Sequence, residues 1–235
     1  MATVVASNAL GGQGVTSLTY QVDGGSGKNT YIRVTTAGFD EANDQIPSGV
    51  TYKGIPLKRI ALYQVGTDAL TMWGLVGSAN GLNDVVVTFP AAASEVMSGA
   101  ITLENVDQKI PSGTVFTNTG TTATPTVDVP GSSIGDVVTD QAFFEEATAG
   151  AGAAGAGQTE RFEAQTRGAG DPLWKGFGSS EDGNGGTVTM SWTNAIQPTT
   201  WHTIAAAVRN ARIEPFDYSE FPKHKIRAAV LRGEM

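Results

Sequence analysis

Val96-Met97-Ser98-Gly99-Ala100-Ile101-Thr102-Leu103-Glu104-Asn105-Val106 is the stretch that decides the fold class. Met97, Gly99, Ile101 and Leu103 fall on one face, and Ala100, Thr102 and Glu104 on the other. That is the two-residue period of a strand, not the 3.6-residue period of a helix. Tyr31–Thr36 alternates in the same way, and Leu70-Thr-Met-Trp-Gly-Leu-Val76 reads as another strand. Val50-Thr-Tyr-Lys-Gly54 reads as a strand end and a turn. Asp84-Val-Val-Val-Thr-Phe-Pro90 is a β-branched run that Pro90, lacking an N–H, is expected to stop. Leu57–Val65, Pro125–Val129, Ile134–Phe144, Gly186–Thr193 and Trp201–Val208 bring the expectation to about nine to eleven strands. Ala91–Met97 has room for one turn of helix, and no longer helical pattern separates the strands, so a parallel βαβ architecture is disfavoured. The expected fold is all-β: an antiparallel sandwich, jelly-roll or Ig-like, over residues 15–210. Residues 1–14 form an N-terminal segment, and residues 211–235 a C-terminal arm containing a short helix.

Composition agrees and narrows the function. Glycine supplies 30 of 235 residues, roughly twice the usual share of about 7%. The net charge of −8 argues against a nucleic-acid-binding surface. With no cysteine there are no disulfides, thiolate metal sites or cysteine nucleophiles. His202 and His224 are the two histidines, which leaves little material for histidine-based metal sites or triads. The N-terminus reads as lacking a secretion leader, and no apolar run is long enough to span a membrane as a helix.

The chemical motifs are weak. Gly11–Gly14, Asp23–Gly27 and the Gly/Ala run Ala147–Gly157 read as exposed loops, and Glu181-Asp-Gly-Asn-Gly-Gly186 as a hairpin turn. Gly150-Ala-Gly152-Ala-Ala-Gly155 matches a dinucleotide fingerprint, and Gly152 to Thr159 approaches a phosphate loop. Gln158 stands where that loop needs a lysine, and glycines interrupt the helix that should follow. Asp40–Asp44 and Glu181–Asn184 offer oxygens to calcium but lack EF-hand spacing, so turn chemistry is the preferred reading. Glu145 and Glu146 point to opposite faces of a strand and do not form a catalytic pair. His202 is expected to be a hydrogen-bonded structural residue, and Trp73, Trp192 and Trp201 to be core. Trp174, in Gly170-Asp-Pro-Leu-Trp-Lys-Gly176, reads as a loop residue and is the candidate for an exposed ligand contact. No catalytic residue, metal site or cofactor is expected.

Five segments carry a family resemblance: Gly49-Val-Thr-Tyr-Lys-Gly-Ile-Pro-Leu57, Leu70–Val76, Asp84–Phe89, Ser98-Gly-Ala-Ile-Thr-Leu-Glu-Asn-Val-Asp-Gln108 and Gly186-Thr-Val-Thr-Met-Ser-Trp-Thr193. Together they resemble the β-sandwich domains repeated in bacterial surface proteins and found in structural proteins of tailed bacteriophages, over about residues 28–210. The resemblance implies a non-enzymatic spacer, adhesin or virion component, and no catalytic residue set comes with it. This chain is a single copy with a mixed-charge tail, which favours the phage branch and a virion location, assembled in a host cytoplasm and exposed on the particle.

The tail is chemically unlike the body. Residues 1–210 carry 10 basic and 19 acidic side chains, and residues 211–235 carry 5 and 4. Phe216, Tyr218 and Phe221 lie in a proline-bounded segment, the kind of aromatic anchors that dock on a neighbour. Lys223, Lys225, Ile226, Arg227, Val230, Leu231 and Arg232 form a short basic stretch, with Ile226, Val230 and Leu231 at helical spacing. A helix this short orders on a partner surface. The expected partners are capsid or tail proteins and further copies of the chain, with no nucleic acid and no membrane. The leading expectation is a capsid decoration or head-associated protein; the alternatives are a tail or fibre component, or a glycan-binding adhesive module using Trp174 and the Gly-rich loops.

Overall fold

The computed structural model describes residues 1–39, 45–146, 152–166, 173–194, 198 and 200–211. Among these the protein is all-β and antiparallel. The strands are β1 (Thr3–Asp23), β2 (Tyr31–Phe39), β3 (Gly49–Tyr52), β4 (Ile55–Pro56), β5 (Lys58–Val65), β6 (Asp68–Val76), β7 (Leu82–Glu104) and β8 (Ser112–Gly120). There follow β9 (Thr126–Val129), β10 (Val137–Glu146), β11 (Gly152–Ala154), β12 (Thr159–Gln165), β13 (Leu173–Asp182), β14 (Val188–Asn194) and β15 (Thr200–Val208). A seven-stranded sheet runs β4-β3-β7-β2-β6-β5 with β1 along β7, a second runs β12-β13-β10-β15-β8, and a third β11-β14-β9.

The opening stretch behaves as its alternation requires. Val96 and Ala100 enter one apolar cluster, while Met97, Ile101 and Leu103 enter the clusters on the opposite face. Pro90 does not end its strand as expected. Val15 pairs with Ala93 but Ser17 with Thr88, so β7 carries Phe89–Ala92 against a single residue of β1. A bulge tolerates a residue with no N–H, and it bends the ribbon. The same stretch is extended, so the turn of helix expected over Ala91–Met97 is absent. On the far side, β7 pairs with β3 before the bend and with β2 after it.

The bend folds the seven-stranded sheet over itself. Tyr20, Val22, Val50, Tyr52, Val85 and Val87 from the outer half share one core with Ile32, Val34, Trp73, Val96 and Ala100 from the inner half. The other face of β2, β6 and β7 packs on β10, β13 and β15 through Phe39, Met72, Met97, Phe143, Trp174 and Ile204. The far face of that second sheet packs on the small sheet through Val127, Val138, Met190, Phe144 and Trp192. The result is a stack of four layers, one more pair than a simple sandwich, and fifteen strands in place of the expected nine to eleven. Inner-layer strands are covered on both sides, which is why all nine residues of β2 are buried.

Three further expectations change. Gly11–Gly14, read as a loop, lies inside β1, which pairs with β7 from Thr3 onward. Gly152–Ala154 of the Gly/Ala run is strand β11 on Trp192–Asn194. Glu181–Gly186 is not a hairpin: β13 pairs with β10 and β12, and β14 with β9 and β11, so this turn crosses between two sheets. The β3–β4 turn holds as read, with Lys53 and Gly54 both at positive φ (53° and 75°).

Candidate functional site

Trp174 lies on β13 and is 3% exposed, which corrects its placement in an exposed loop. Its ring stacks on Phe39 at 3.6 Å and lies near-parallel to His202 at 5.7 Å. The aromatic Leu-Trp-Lys sequence beside glycines read as a loop, yet the glycines Gly176 and Gly178 are strand positions. Phe162 and Met97 crowd them so closely that a Cβ would collide with Phe162 at Gly178. A saccharide platform at Trp174 therefore has no exposed ring face.

His202 is buried and shares its Nε2 with Asp68 Oδ2 at 2.9 Å. This is the structural, hydrogen-bonded role expected of it. Its Nδ1 is buried without a partner, and no hydroxyl bonds to the ring, so no activated nucleophile is assembled around it among the described residues. Trp73, Trp192 and Trp201 are buried as expected. Gln158, far from cradling a phosphate, bonds Ser179 Oγ and the Ser191 N–H, and the residues after it form strand β12 and not a helix. Glu145 lies in β10, where Trp174 and Thr200 flank it. Asp40–Asp44 lies outside the described residues, and no group of three or more acidic or histidine side chains is placed to hold a metal among the described ones.

Two buried polar groups escaped the sequence reading. Arg33, on β2, reaches across to the second sheet, donating to Thr139 Oγ1 at 2.6 Å, the Ala206 carbonyl at 2.8 Å and Ser112 Oγ at 2.9 Å. Burial pushes its guanidinium below the ordinary arginine range, and Tyr31 beside it partly offsets that. Asp140, on β10, faces the small sheet and accepts from the Ser179 N–H (3.0 Å), Ser179 Oγ (2.6 Å) and Trp192 Nε1 (2.7 Å). Both groups fasten one layer to the next. Their only sequence signal was a charged residue inside a stretch that reads as a strand.

Burial raises the Asp140 carboxyl from 3.8 to about 6, against the lowering effect of its three donors. The folded protein therefore binds this proton more readily than the unfolded chain, so stability falls as pH rises from about 4 through about 6. Glu160 and Glu181 are pushed the same way by partial burial. Urea unfolding is expected to show wild type gaining about 1 kcal/mol between pH 7 and pH 5 from Asp140. Asp140→Asn removes that increment; an unchanged increment in the variant would refute the assignment.

An open cleft of about 510 Å³ lies between the β5–β6 edge and Gln108–Ser112. Lys58, Arg59 and Lys109 line it, with Val76 and Ile110, and among the described residues no carboxylate does. Val76 and Ile110 are exposed apolar residues, as is Ile55 next to lining Pro56. Tyr31 forms part of the floor, under Gly74 where any Cβ would collide with its hydroxyl. The cleft was not legible in the sequence, because its walls come from segments some fifty residues apart.

The arm residues Phe216, Tyr218, Phe221, Lys223, Lys225, Ile226, Arg227, Val230, Leu231 and Arg232 lie outside the described residues. The last described residues, up to Ala211, are fastened to the body. Asn210 bridges to Val106, the Ala211 N–H donates to the Asn105 carbonyl at 2.7 Å, and the Arg209 N–H donates to the Pro111 carbonyl at 2.9 Å. The last described residues thus lie beside one wall of the basic cleft.

No protein-family profile matches this chain, and no curated protein does. Among solved structures, the chain is aligned with native yeast LTA4 hydrolase at 9% identity over 77% of its length, with a TM-score of 0.14. Yeast LTA4 hydrolase in complex with Bestatin aligns at 10% identity over the same share, with a TM-score of 0.17. In both cases the match covers 29% of the other chain, so this chain spans less than a third of their length. At those scores the likeness carries no argument about fold or activity. No helix among the described residues is long and apolar enough to cross a membrane.

Proposed function

We propose that this protein is a non-enzymatic structural component of a tailed-phage particle, a capsid decoration or head-associated protein held in place by residues 211–235. The observation that carries the reading is the change in chain chemistry at Asn210, at the spot where hydrogen bonds to Asn105 and Pro111 close the body of the fold. Before it, the chain is acidic and its buried polar groups Arg33, Asp140 and His202 are consumed in joining layers. After it come Phe216, Tyr218 and Phe221 and then a basic stretch, features of a segment that binds another surface. The segments that resemble phage and surface-protein domains occupy β3–β4, β6, β7 and β14, all within the body. The glycan-binding alternative, which used Trp174 and the Gly-rich loops, loses Trp174 with that ring buried.

The test is particle membership. Purified particles from cells making this protein should contain it in many copies per particle by quantitative mass spectrometry. Its absence from particles, with the protein abundant and soluble in the same lysate, would contradict the reading.

A further inference from the structure

We propose that the basic cleft is the seat of the first half of the arm, Ile213–Phe221 of the same chain, leaving the second half free to engage a partner. The inference rests on reading residues 211–235 as a docking arm, and it divides that arm by function.

Three observations converge. The first is position: Ala211 is fastened to Asn105, and Arg209 to Pro111, while Gln108 to Ser112 form one wall of the cleft. Nine extended residues reach about 30 Å, ample for a cleft that begins at the exit point. The second is charge: Lys58, Lys109 and Arg59, the last with its guanidinium 5.8 Å from the Trp73 ring centroid, line the cleft with no carboxylate among the described lining residues, in a chain of net charge −8. Residues 213–221 bring Glu214, Asp217 and Glu220 and no cation, whereas Lys223, Lys225, Arg227 and Arg232 all come later. The third is apolar surface: exposed Val76 and Ile110, with Ile55 beside them, offer a surface for Phe216, Tyr218 and Phe221.

Single exposed ion pairs are weak, so the aromatic contacts supply the hold and the charges set the orientation. A basic cleft also repels the cationic second half, Lys223–Arg232, and directs it outward. The seat therefore holds the acidic, aromatic half on the body and presents the basic half to an acidic surface on a neighbour.

Zero-length carbodiimide cross-linking tests this on the full-length chain, using an equal mixture of isotope-labelled and unlabelled protein. Expected are amide links from Lys58 or Lys109 to Glu214, Asp217 or Glu220, each within a single label. Arg59→Glu should lower their yield several-fold while leaving the melting temperature in place. Absence of these links would overturn the proposal, and so would links that pair the two labels, which would make the occupant a second copy. If the links are absent but removing the arm still abolishes particle incorporation, this inference fails and the docking-arm reading stands. If removing the arm leaves incorporation unchanged, the docking-arm reading itself fails, whatever the links show.

Discussion

Trp174→Ala is expected to destabilise the protein by about 3–5 kcal/mol, the range for deleting a large aromatic side chain from a packed core. The ring is 3% exposed and lies between the two largest sheets, stacked on Phe39 and near-parallel to His202. Its removal leaves a void against Phe39, and Phe39 also contacts Phe143 at 5.9 Å. The backbone on either side is fixed by β10 and β12, so the layers have little freedom to close the space. In a chain of this size that loss corresponds to a fall in melting temperature of roughly 10 °C. Trp174→Phe keeps a ring on Phe39 and should lose less than half as much. Urea unfolding of the two variants decides the matter. A stable Trp174→Ala with altered binding to any saccharide would restore the exposed-contact reading that the structure removes.

Arg33→Ala is the second large effect, again about 3–5 kcal/mol. Two costs combine: the volume of a long buried side chain, and the donors withdrawn from Thr139 Oγ1, Ser112 Oγ and the Ala206 carbonyl. Each acceptor left without a partner inside the stack costs about 1–3 kcal/mol. The charge itself contributes little, because burial already disfavours the ionised guanidinium. Arg33→Met should therefore recover the packing part and not the hydrogen-bond part, placing it between wild type and alanine. Equilibrium unfolding gives the order directly. If Arg33→Ala loses under about 1 kcal/mol, the guanidinium is not a tie between the first two sheets.

The strand content was legible because burial on alternate faces leaves a period of two. Val96–Val106 sorts into opposite clusters as its alternation demands, and Trp73, Trp192 and Trp201 are core. The layer count was not legible. Tyr31–Thr36 alternates although β2 is buried on both faces, so local alternation does not distinguish a sandwich from a deeper stack. Pro90 was read as a stop because local rules see the missing N–H but not the bulge that absorbs it. Trp174 was read as exposed because its glycine neighbours look like loop residues; here Gly176 and Gly178 make room for Met97, Phe143 and Phe162 from neighbouring strands. The arm reading rests on charge and aromatic content alone, and its residues lie outside the described ones. The cleft beside Ala211 was not legible, since Lys58, Arg59 and Lys109 are brought together only by β5 and Gln108–Ser112.

The most direct measurement is the number of copies on purified particles, for the wild-type chain and for a chain ending at Ala211, with the melting temperature of each. The expected result is two proteins that melt within a few degrees of each other, of which only the full-length chain is found on particles. Equal copy numbers for both would contradict the claim that residues beyond Ala211 anchor this protein.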